Sequence, residues 1–131
     1  MRKDNIHTAI IGLGSNINPR QNIIKAKTRL AKDCKILAES RFVTTKPIGK
    51  KNQADFLNGA ILLETNQSKD KLRVYLKNIE VSLGRKRTNK NFGPRTIDLD
   101  ILAWNNKVVS RDFYERDFVR DSVLELMRLT L

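Results

Sequence analysis

The sequence has 131 residues, of which 40% are hydrophobic and 31% are charged. This balance excludes a disordered chain and fits a single folded domain over residues 1–131. Lysines and arginines outnumber aspartates and glutamates by 26 to 14, and the net charge of +12 at pH 7 favours a polyanionic partner. One cysteine excludes an intrachain disulfide. No apolar run has the ~20 residues of a membrane span and no signal sequence is visible, so we expect a cytoplasmic protein.

The first half of the sequence predicts three strands and one helix. Residues 8–13 (TAIIGL) form a short apolar run that is typical of a buried strand. Asn18 precedes a proline, which is typical of an N-cap, and apolar residues at helical spacing predict a helix over residues 19–32. Residues 35–44 and 56–65 are rich in β-forming residues and predict the second and third strands, with a polar loop between them.

The second half predicts a helix, a basic loop and a further strand. Ser68 is placed to cap a second helix, and Gly84 is placed to end it. Residues 85–95 contain five basic residues and no acidic residue, and we interpret them as a mobile basic loop. Residues 96–104 (TIDLDILAW) alternate apolar and polar side chains and predict the fourth strand. The apolar stripe of the helix consists of Leu72, Tyr75, Leu76, Ile79 and Leu83.

The end of the chain predicts a short strand and a last helix. Residues 107–110 follow a turn and can extend as a strand, and residues 118–131 have the apolar spacing of a helix. The order β-α-β-β-α-β with a terminal helix predicts an α+β fold. We expect a ferredoxin-like antiparallel sheet with its helices packed against one face.

Two aspartates carry the clearest chemical signal. Asp98 and Asp100 alternate with apolar residues on the fourth predicted strand, so their carboxylates lie on one face with Cα atoms roughly 7 Å apart. Like charges so placed repel each other, and Mg²⁺, which prefers carboxylate oxygens, would remove the conflict. An exposed strand face whose aspartates pair with lysines fits the pattern as well.

Arginines surround this acidic pair in the sequence. Arg95 directly precedes the strand, and Arg85 and Arg87 begin the basic loop; guanidinium groups can bind phosphate oxygens in bidentate fashion. A metal, arginine clamps and a covering loop are together typical of phosphoryl transfer. The residues therefore predict a Mg²⁺-nucleotide enzyme, with a merely solvated basic loop as the alternative. No GxxxxGK[ST] loop is present, and Gly12-Leu13-Gly14 is not continued to GxGxxG.

Several motifs of the sequence occur together in one known family. The block GPRTIDLD (residues 93–100) follows Glu80 and Gly84-Arg85, and further upstream stand LGSN (13–16), TKPIG (45–49) and FLN (56–58). With these motifs the chain resembles 6-hydroxymethyl-7,8-dihydropterin pyrophosphokinase of folate biosynthesis, as a shortened or diverged member. The similarity extends over about residues 8–102 and more weakly to residue 126. The resemblance implies a ferredoxin-like enzyme that transfers pyrophosphate from ATP to the pterin hydroxymethyl oxygen and releases AMP.

On the nucleotide side, the resemblance implies that Asp98 and Asp100 hold two Mg²⁺ ions. It assigns the triphosphate to Arg85 and Arg95. The remaining nucleotide-side residues that it implies are Arg87 as an auxiliary cation of the loop, Glu80 in the nucleotide pocket and Ile101 beside the adenine.

On the pterin side, the resemblance implies that the rings of Phe56 and Phe118 sandwich the flat bicycle and that Asn58 hydrogen-bonds its edge. Aromatic faces and an amide suit such a ligand, because it offers two apolar faces and an edge of donors and acceptors. Plain core packing of the two rings is the alternative that the residues alone favour. The walls of the pterin pocket are assigned to Thr45, Pro47 and Ile48.

Two other functions stay open. Members of the family carry a Pro-His pair between the acidic pair and the second pterin ring, whereas the only histidine here is His7. A catalytically weak or inactive relative that binds a pterin or nucleotide is therefore one alternative. The charge of +12 suggests a ferredoxin-like nucleic-acid binder as the other, which is less favoured because no RNP-type aromatic strand is present.

Overall fold

The computed structural model describes residues 5–47, 53–84 and 96–129. Within these ranges the chain forms six strands and four helices. The strands are β1 (His7–Ser15), β2 (Lys35–Glu39), β3 (Val43–Thr45), β4 (Phe56–Thr65), β5 (Asp98–Trp104) and β6 (Lys107–Val108). The helices are α1 (Pro19–Asp33), α2 (Lys69–Ser82), α3 (Asp112–Glu115) and α4 (Asp117–Met127). No helix in these ranges has the length and apolar character needed to cross a membrane.

The strands form one antiparallel sheet in the order β2-β4-β1-β5-β6, and β3 pairs with β4 as well. β1 lies in the middle because its apolar run is buried on both faces, a pattern that suits a strand with neighbours on each side. The β2-β4-β1-β5 part of the sheet has the strand order expected for two interleaved βαβ units. The predicted α+β, ferredoxin-like arrangement is therefore confirmed.

Alternating side chains of the sheet belong to two separate hydrophobic cores, one on each face. Ile11, Ile61 and Leu99 belong to a core that also contains the apolar stripes of α1 and α2. Ile10 and Leu62 point to the opposite face, where they pack with the apolar residues of α4. The expectation that the helices cover one face is therefore wrong for the terminal helix. Strand alternation requires this second layer, since Ile10 and Leu62 on the other faces of β1 and β4 are also apolar.

The second predicted strand, residues 35–44, is broken into β2 and β3. At the break the Ser40 N–H donates to the Ala60 carbonyl, and the Ala60 N–H donates to the Ser40 hydroxyl, both at 2.8 Å. A side-chain oxygen thus replaces the backbone carbonyl that a continuous strand would offer. The chain leaves the regular ladder at this point and rejoins β4 three residues later as β3.

The two crossover helices begin in different ways. α1 starts at Pro19 as predicted, but Asn18 has a left-handed backbone (φ 40°) and its side chain makes no capping hydrogen bond, so the predicted N-cap is wrong. In α2 the Ser68 hydroxyl accepts from the Lys71 N–H at 3.2 Å, and Gly84 follows the helix with φ 99°. Both ends of α2 therefore agree with the prediction.

The C-terminal part is more divided than predicted. The turn at Asn105 and Asn106 has both residues at positive φ, which suits a two-residue hairpin, and β6 is only two residues long instead of four. The short helix α3 was not predicted. The last helix runs from Asp117 to Met127, whereas residues 118–131 were predicted, and residues 130–131 lie outside the described ranges. The basic segment 85–95 also lies outside them.

The N-cap of α2 can be tested by removing its hydroxyl. Ser68→Ala deletes the acceptor for the Lys71 N–H, and we expect the free energy of unfolding to fall by about 1 kcal/mol in urea denaturation. Asn18→Gly is the matched control, because that side chain makes no capping bond and glycine tolerates the left-handed backbone. Equal losses in the two variants would contradict the capping role of Ser68.

Candidate active site

The register of the sheet places the predicted site residues in rows. Gly14 on β1 lies opposite Asn58 on β4 and opposite Asp98 on β5. In the next row Gly12 lies opposite Asp100. Because directly opposite residues project to the same face, the acidic pair and Asn58 share one side of the sheet. The central strand contributes only hydrogen atoms between them.

These two glycines keep the space above the sheet open. A Cβ at Gly14 would collide with Oδ1 of Asn58, and a Cβ at Gly12 would lie 3.0 Å from a methyl carbon of Leu102. Gly12 falls within the predicted first strand and Gly14 within the LGSN motif, but no site role was predicted for either glycine; both lie inside β1. The signal that was available is their spacing, since residues two apart on a strand face the same side.

A cavity of about 140 Å³ lies on this face of the sheet, between β4, β5 and the segment from α3 to α4. It brings together six of the predicted site residues, which are Thr45, Phe56, Asn58, Asp98, Asp100 and Phe118. The lining does not include Pro47, and Ile48 lies outside the described ranges. Lys46, between Thr45 and Pro47, contributes to the lining although it was not predicted. The aromatic rings and the acidic pair thus border one continuous space.

A hydrogen bond fixes the amide at one end of this cavity. Nδ2 of Asn58 donates to the hydroxyl oxygen of Thr45. The pairing of β3 with β4 sets this contact, because it places Val43 opposite Asn58 and Thr45 opposite Phe56. Two predicted pterin-side residues therefore orient each other, and a third lies in the same stretch of ladder.

The opposite wall contains residues that were not predicted from the sequence. Arg116, in the link between α3 and α4, lines the cavity, and its Nε donates to Oδ1 of Asp112 at 3.2 Å. The N–H of Asp112 donates to the hydroxyl of Ser110 at 3.1 Å, at the start of α3. Ser122 of α4 lines the cavity too. No periodic signal marks this wall in the sequence, because α3 has only four residues.

The acidic pair carries electrostatic strain. Asp100 is exposed to solvent, but neighbouring protein atoms partly desolvate its carboxylate, and this is the largest cause that raises its pKa. The negative charges of Asp98, Glu80 and Asp112 raise the pKa further. Together they raise the pKa of Asp100 from 3.8 to about 7, while Lys77 opposes the rise. Such a site favours any ligand that brings positive charge.

The chemistry of the pair fits a hard dication. The two carboxylates lie on one face at neighbouring same-side positions, and a bound cation would offset their mutual repulsion. Within residues 5–47, 53–84 and 96–129 no group of three or more His, Cys, Asp or Glu side chains could hold a metal. Two carboxylates on one strand are few protein ligands, and such a set is typical of Mg²⁺ bound together with substrate phosphates.

A second cavity of about 290 Å³ lies along β5, between α2 and the segment that follows β6. Ile101 lines it, together with Lys77 and Arg73 of α2. Asp100 and Asp112 border both cavities, whereas Asp98 borders only the first, so the junction lies at the Asp100 end of the acidic pair. The expected adenine-side residue Ile101 is therefore placed on the other side of that junction from the aromatic rings.

The last site candidate within the described ranges is Glu80, which lies on α2. Its side chain is buried, and Oε2 accepts from the Leu99 N–H at 2.7 Å. Neither cavity has Glu80 in its lining. The other candidates, Arg85, Arg87 and Arg95, lie outside the described ranges.

The raised pKa of Asp100 predicts a pH-dependent effect on stability. The folded protein binds this proton more tightly than the unfolded chain does, so the free energy of unfolding falls as pH rises from about 3.8 to about 7. We expect Asp100→Asn to have a higher melting temperature than the wild type at pH 8 in metal-free buffer, and a similar one at pH 4. Calorimetry at both pH values tests this, with the exposed Asp121→Asn as control. Equal melting temperatures of the wild type and Asp100→Asn at pH 8 would contradict a destabilising charge on Asp100.

Comparison with known proteins identifies the family. The family model described as 7,8-dihydro-6-hydroxymethylpterin-pyrophosphokinase (HPPK) matches residues 10–128. Three relatives with the name 2-amino-4-hydroxy-6-hydroxymethyldihydropteridine pyrophosphokinase are similar to this chain. That of Campylobacter jejuni is 41% identical over 105 residues, which cover 78% of this chain and 66% of the relative. That of Haemophilus influenzae is 34% identical over 131 residues (91% and 81%), and that of Bacillus subtilis 33% identical over 129 residues (90% and 77%). The chain therefore belongs to the 7,8-dihydro-6-hydroxymethylpterin-pyrophosphokinase family.

Proposed function

We propose that this protein transfers pyrophosphate from ATP to the hydroxymethyl oxygen of 6-hydroxymethyl-7,8-dihydropterin, in folate synthesis. In this reaction the pterin hydroxyl oxygen loses its proton to solvent and forms a bond to the β-phosphorus of ATP. The bond from the β-phosphorus to the oxygen that bridges to the α-phosphate breaks, and AMP leaves with that oxygen. Family membership and the name of the relatives support this activity.

One observation carries the proposal, namely the shared cavity lined by the ring of Phe56 and an amide on β4, the ring of Phe118 on α4 and two carboxylates on β5. A transferase of this kind must hold two substrates so that the attacking oxygen and the phosphorus meet. The rows across β4, β1 and β5 provide such a place, because Asn58, Gly14 and Asp98 are direct neighbours. The pterin would lie over the glycines, with its hydroxymethyl group toward the acidic pair.

At the pterin end, we assign ring binding to Phe56 and Phe118 and edge recognition to Asn58, which Thr45 orients. A bicyclic ring gains from aromatic contact on its faces, and an amide supplies both a donor and an acceptor to its edge. Pro47 and Ile48 remain predicted wall residues.

At the nucleotide end, we assign the second cavity with Ile101 to the adenosine part of ATP and the acidic pair to Mg²⁺. Asp98 and Asp100 would hold the two ions that the resemblance implies, and bound Mg²⁺ neutralises charge on the phosphates during transfer. Lys77 and Arg73 line the same cavity and add positive charge beside the phosphates. Arg85 and Arg95 are the proposed clamps for the transferred group, with Arg87 as an auxiliary cation.

A weakly active relative is the second candidate. The segment between Trp104 and Phe118 contributes Ser110 and Asp112 to the second cavity, and it contains no histidine that could contact a phosphate. Loss of such a contact lowers nucleotide affinity or turnover without removing the pterin site. A protein that binds the pterin but forms no AMP would favour this candidate.

Formation of AMP tests the proposed activity directly. We expect AMP and the pterin diphosphate to accumulate in equal amounts only when ATP, Mg²⁺ and the hydroxymethyl dihydropterin are all present. Asp98→Asn removes one charge of the pair at constant size, and we expect it to slow AMP formation by at least about 100-fold. Asp121→Asn on the surface of α4 is the matched control and should keep full activity. AMP at background level with the wild type would refute the proposal.

The aromatic contact can be tested separately. We expect Phe56→Ala to weaken binding of the hydroxymethyl dihydropterin by about 1 to 3 kcal/mol, through lost ring contact and burial. Phe42→Ala is the control, because Phe42 packs beneath Gly59 against the other core. Fluorescence titration gives both affinities. An unchanged affinity in Phe56→Ala would assign Phe56 to packing alone.

A further inference from the structure

A buried acid on α2 stands out from its surroundings. Glu80 is 4% exposed and is the only charged residue among the buried side chains of the described ranges. It lies one turn after Leu76 and next to Ile79, on the face of α2 that packs on the sheet. Removing a carboxylate from water is costly unless its oxygens are hydrogen-bonded. An apolar side chain would fill this place at a lower cost, so packing does not explain the acid.

One hydrogen bond of Glu80 reaches the backbone of β5. Oε2 accepts from the Leu99 N–H at 2.7 Å, within the range of a charge-assisted bond. β1 pairs with one edge of β5, while β6 pairs on the other edge only at Ala103 and Trp104. Within the described ranges, Leu99 therefore has no strand on its outer side. The carboxylate takes the place that a backbone carbonyl of a neighbouring strand would occupy.

This bond acts on the two aspartates through the backbone. Leu99 stands between Asp98 and Asp100, and its side chain is buried in the core with the apolar face of α2. Its N–H and its side chain are thus held at once. Since successive side chains on a strand point to opposite faces, holding Leu99 sets the direction of both carboxylates on the other face.

We propose that Glu80 is a positioning residue for this reaction: by holding the Leu99 N–H it fixes the spacing and direction of the Asp98 and Asp100 carboxylates that receive the Mg²⁺-nucleotide. The inference rests on the proposed function and deepens it. It gives Glu80 a role exerted through β5, in addition to the nucleotide-pocket role that the resemblance implies. Such a role demands an oxygen acceptor at this position, and a charged one is the stronger.

Two substitutions separate the acceptor from the charge. Glu80→Gln keeps an oxygen acceptor and removes the charge, whereas Glu80→Leu fills the space and removes the acceptor. Glu64→Gln is the matched control, because this acid lies at the far end of β4, opposite Thr8. Each protein is measured in three ways. These are amide hydrogen exchange of Leu99 in the free protein, calorimetric affinity for Mg²⁺ with α,β-methylene-ATP, and affinity for the pterin.

The proposal predicts a graded result. In Glu80→Leu we expect Leu99 exchange to be at least about tenfold faster and nucleotide affinity at least about tenfold weaker, with pterin affinity within about twofold of the wild type. In Glu80→Gln both effects should be intermediate, since a neutral acceptor is weaker than a carboxylate. Glu64→Gln should match the wild type in all three measurements.

Two outcomes would overturn the proposal. One is unchanged exchange at Leu99 in Glu80→Leu, and the other is an equal loss of nucleotide and pterin affinity, which is the signature of a generally loosened fold. If Glu80→Leu does not fold, Glu80→Gln decides, and wild-type exchange and affinity in that variant count against the role. If the wild type binds no Mg²⁺-nucleotide, the proposed function is refuted instead. Amide hydrogen exchange of Leu99 in the Glu80 variants still tests whether Glu80 holds the Leu99 N–H.

Discussion

The site depends on the pairing of β1 with β4 and β5 at the same time. Antiparallel register on both sides places Asn58, Gly14 and Asp98 in one row, so groups from distant parts of the chain become neighbours without any loop having to carry them. A strand pair is stiff, and its rows hold side chains within fractions of an ångström. Gly14 in the middle of the row has no side chain, so the space above it stays open. A substrate can lie in that space.

The same rows concentrate negative charge in a way that does not favour folding. Asp100 lies near Asp98, Glu80 and Asp112, and its raised pKa shows that the free protein resists the full set of charges. A sequence selected for stability alone would replace one of them by a neutral residue. Strain of this kind is typical of sites whose ligand brings the missing charge. The hold of Glu80 on the backbone fits this view, because repelling carboxylates tend to turn away from each other unless their strand is fixed.

Prediction from the sequence succeeded where local patterns were strong and failed where distant contacts decide. The ends of α2 and the bounds of β4 follow from turn chemistry and a run of β-forming residues, and both agree with the structure. The break at Ser40 depends on hydrogen bonds to Ala60, twenty residues away, which no local pattern reveals. Within the candidate site, motif residues gather in one cavity, whereas the role of Gly14 in its floor and the presence of Arg116 were not predicted. Gly14 leaves space in a row of residues formed by three strands, and only the register of those strands reveals this. Arg116 follows a helix too short to show a period.

The second core of the sheet lies under a single helix, and this links ligand binding to folding. The core opposite α1 and α2 is closed by α4, an eleven-residue helix that also supplies Phe118, Val119 and Ser122 to the cavity wall. Undocking of α4 would open the proposed pterin cavity and expose the core beneath this helix in a single event. Occupancy of the cavity then suppresses that opening by mass action. Substrate concentration would thereby set how long the C-terminal segment survives a protease.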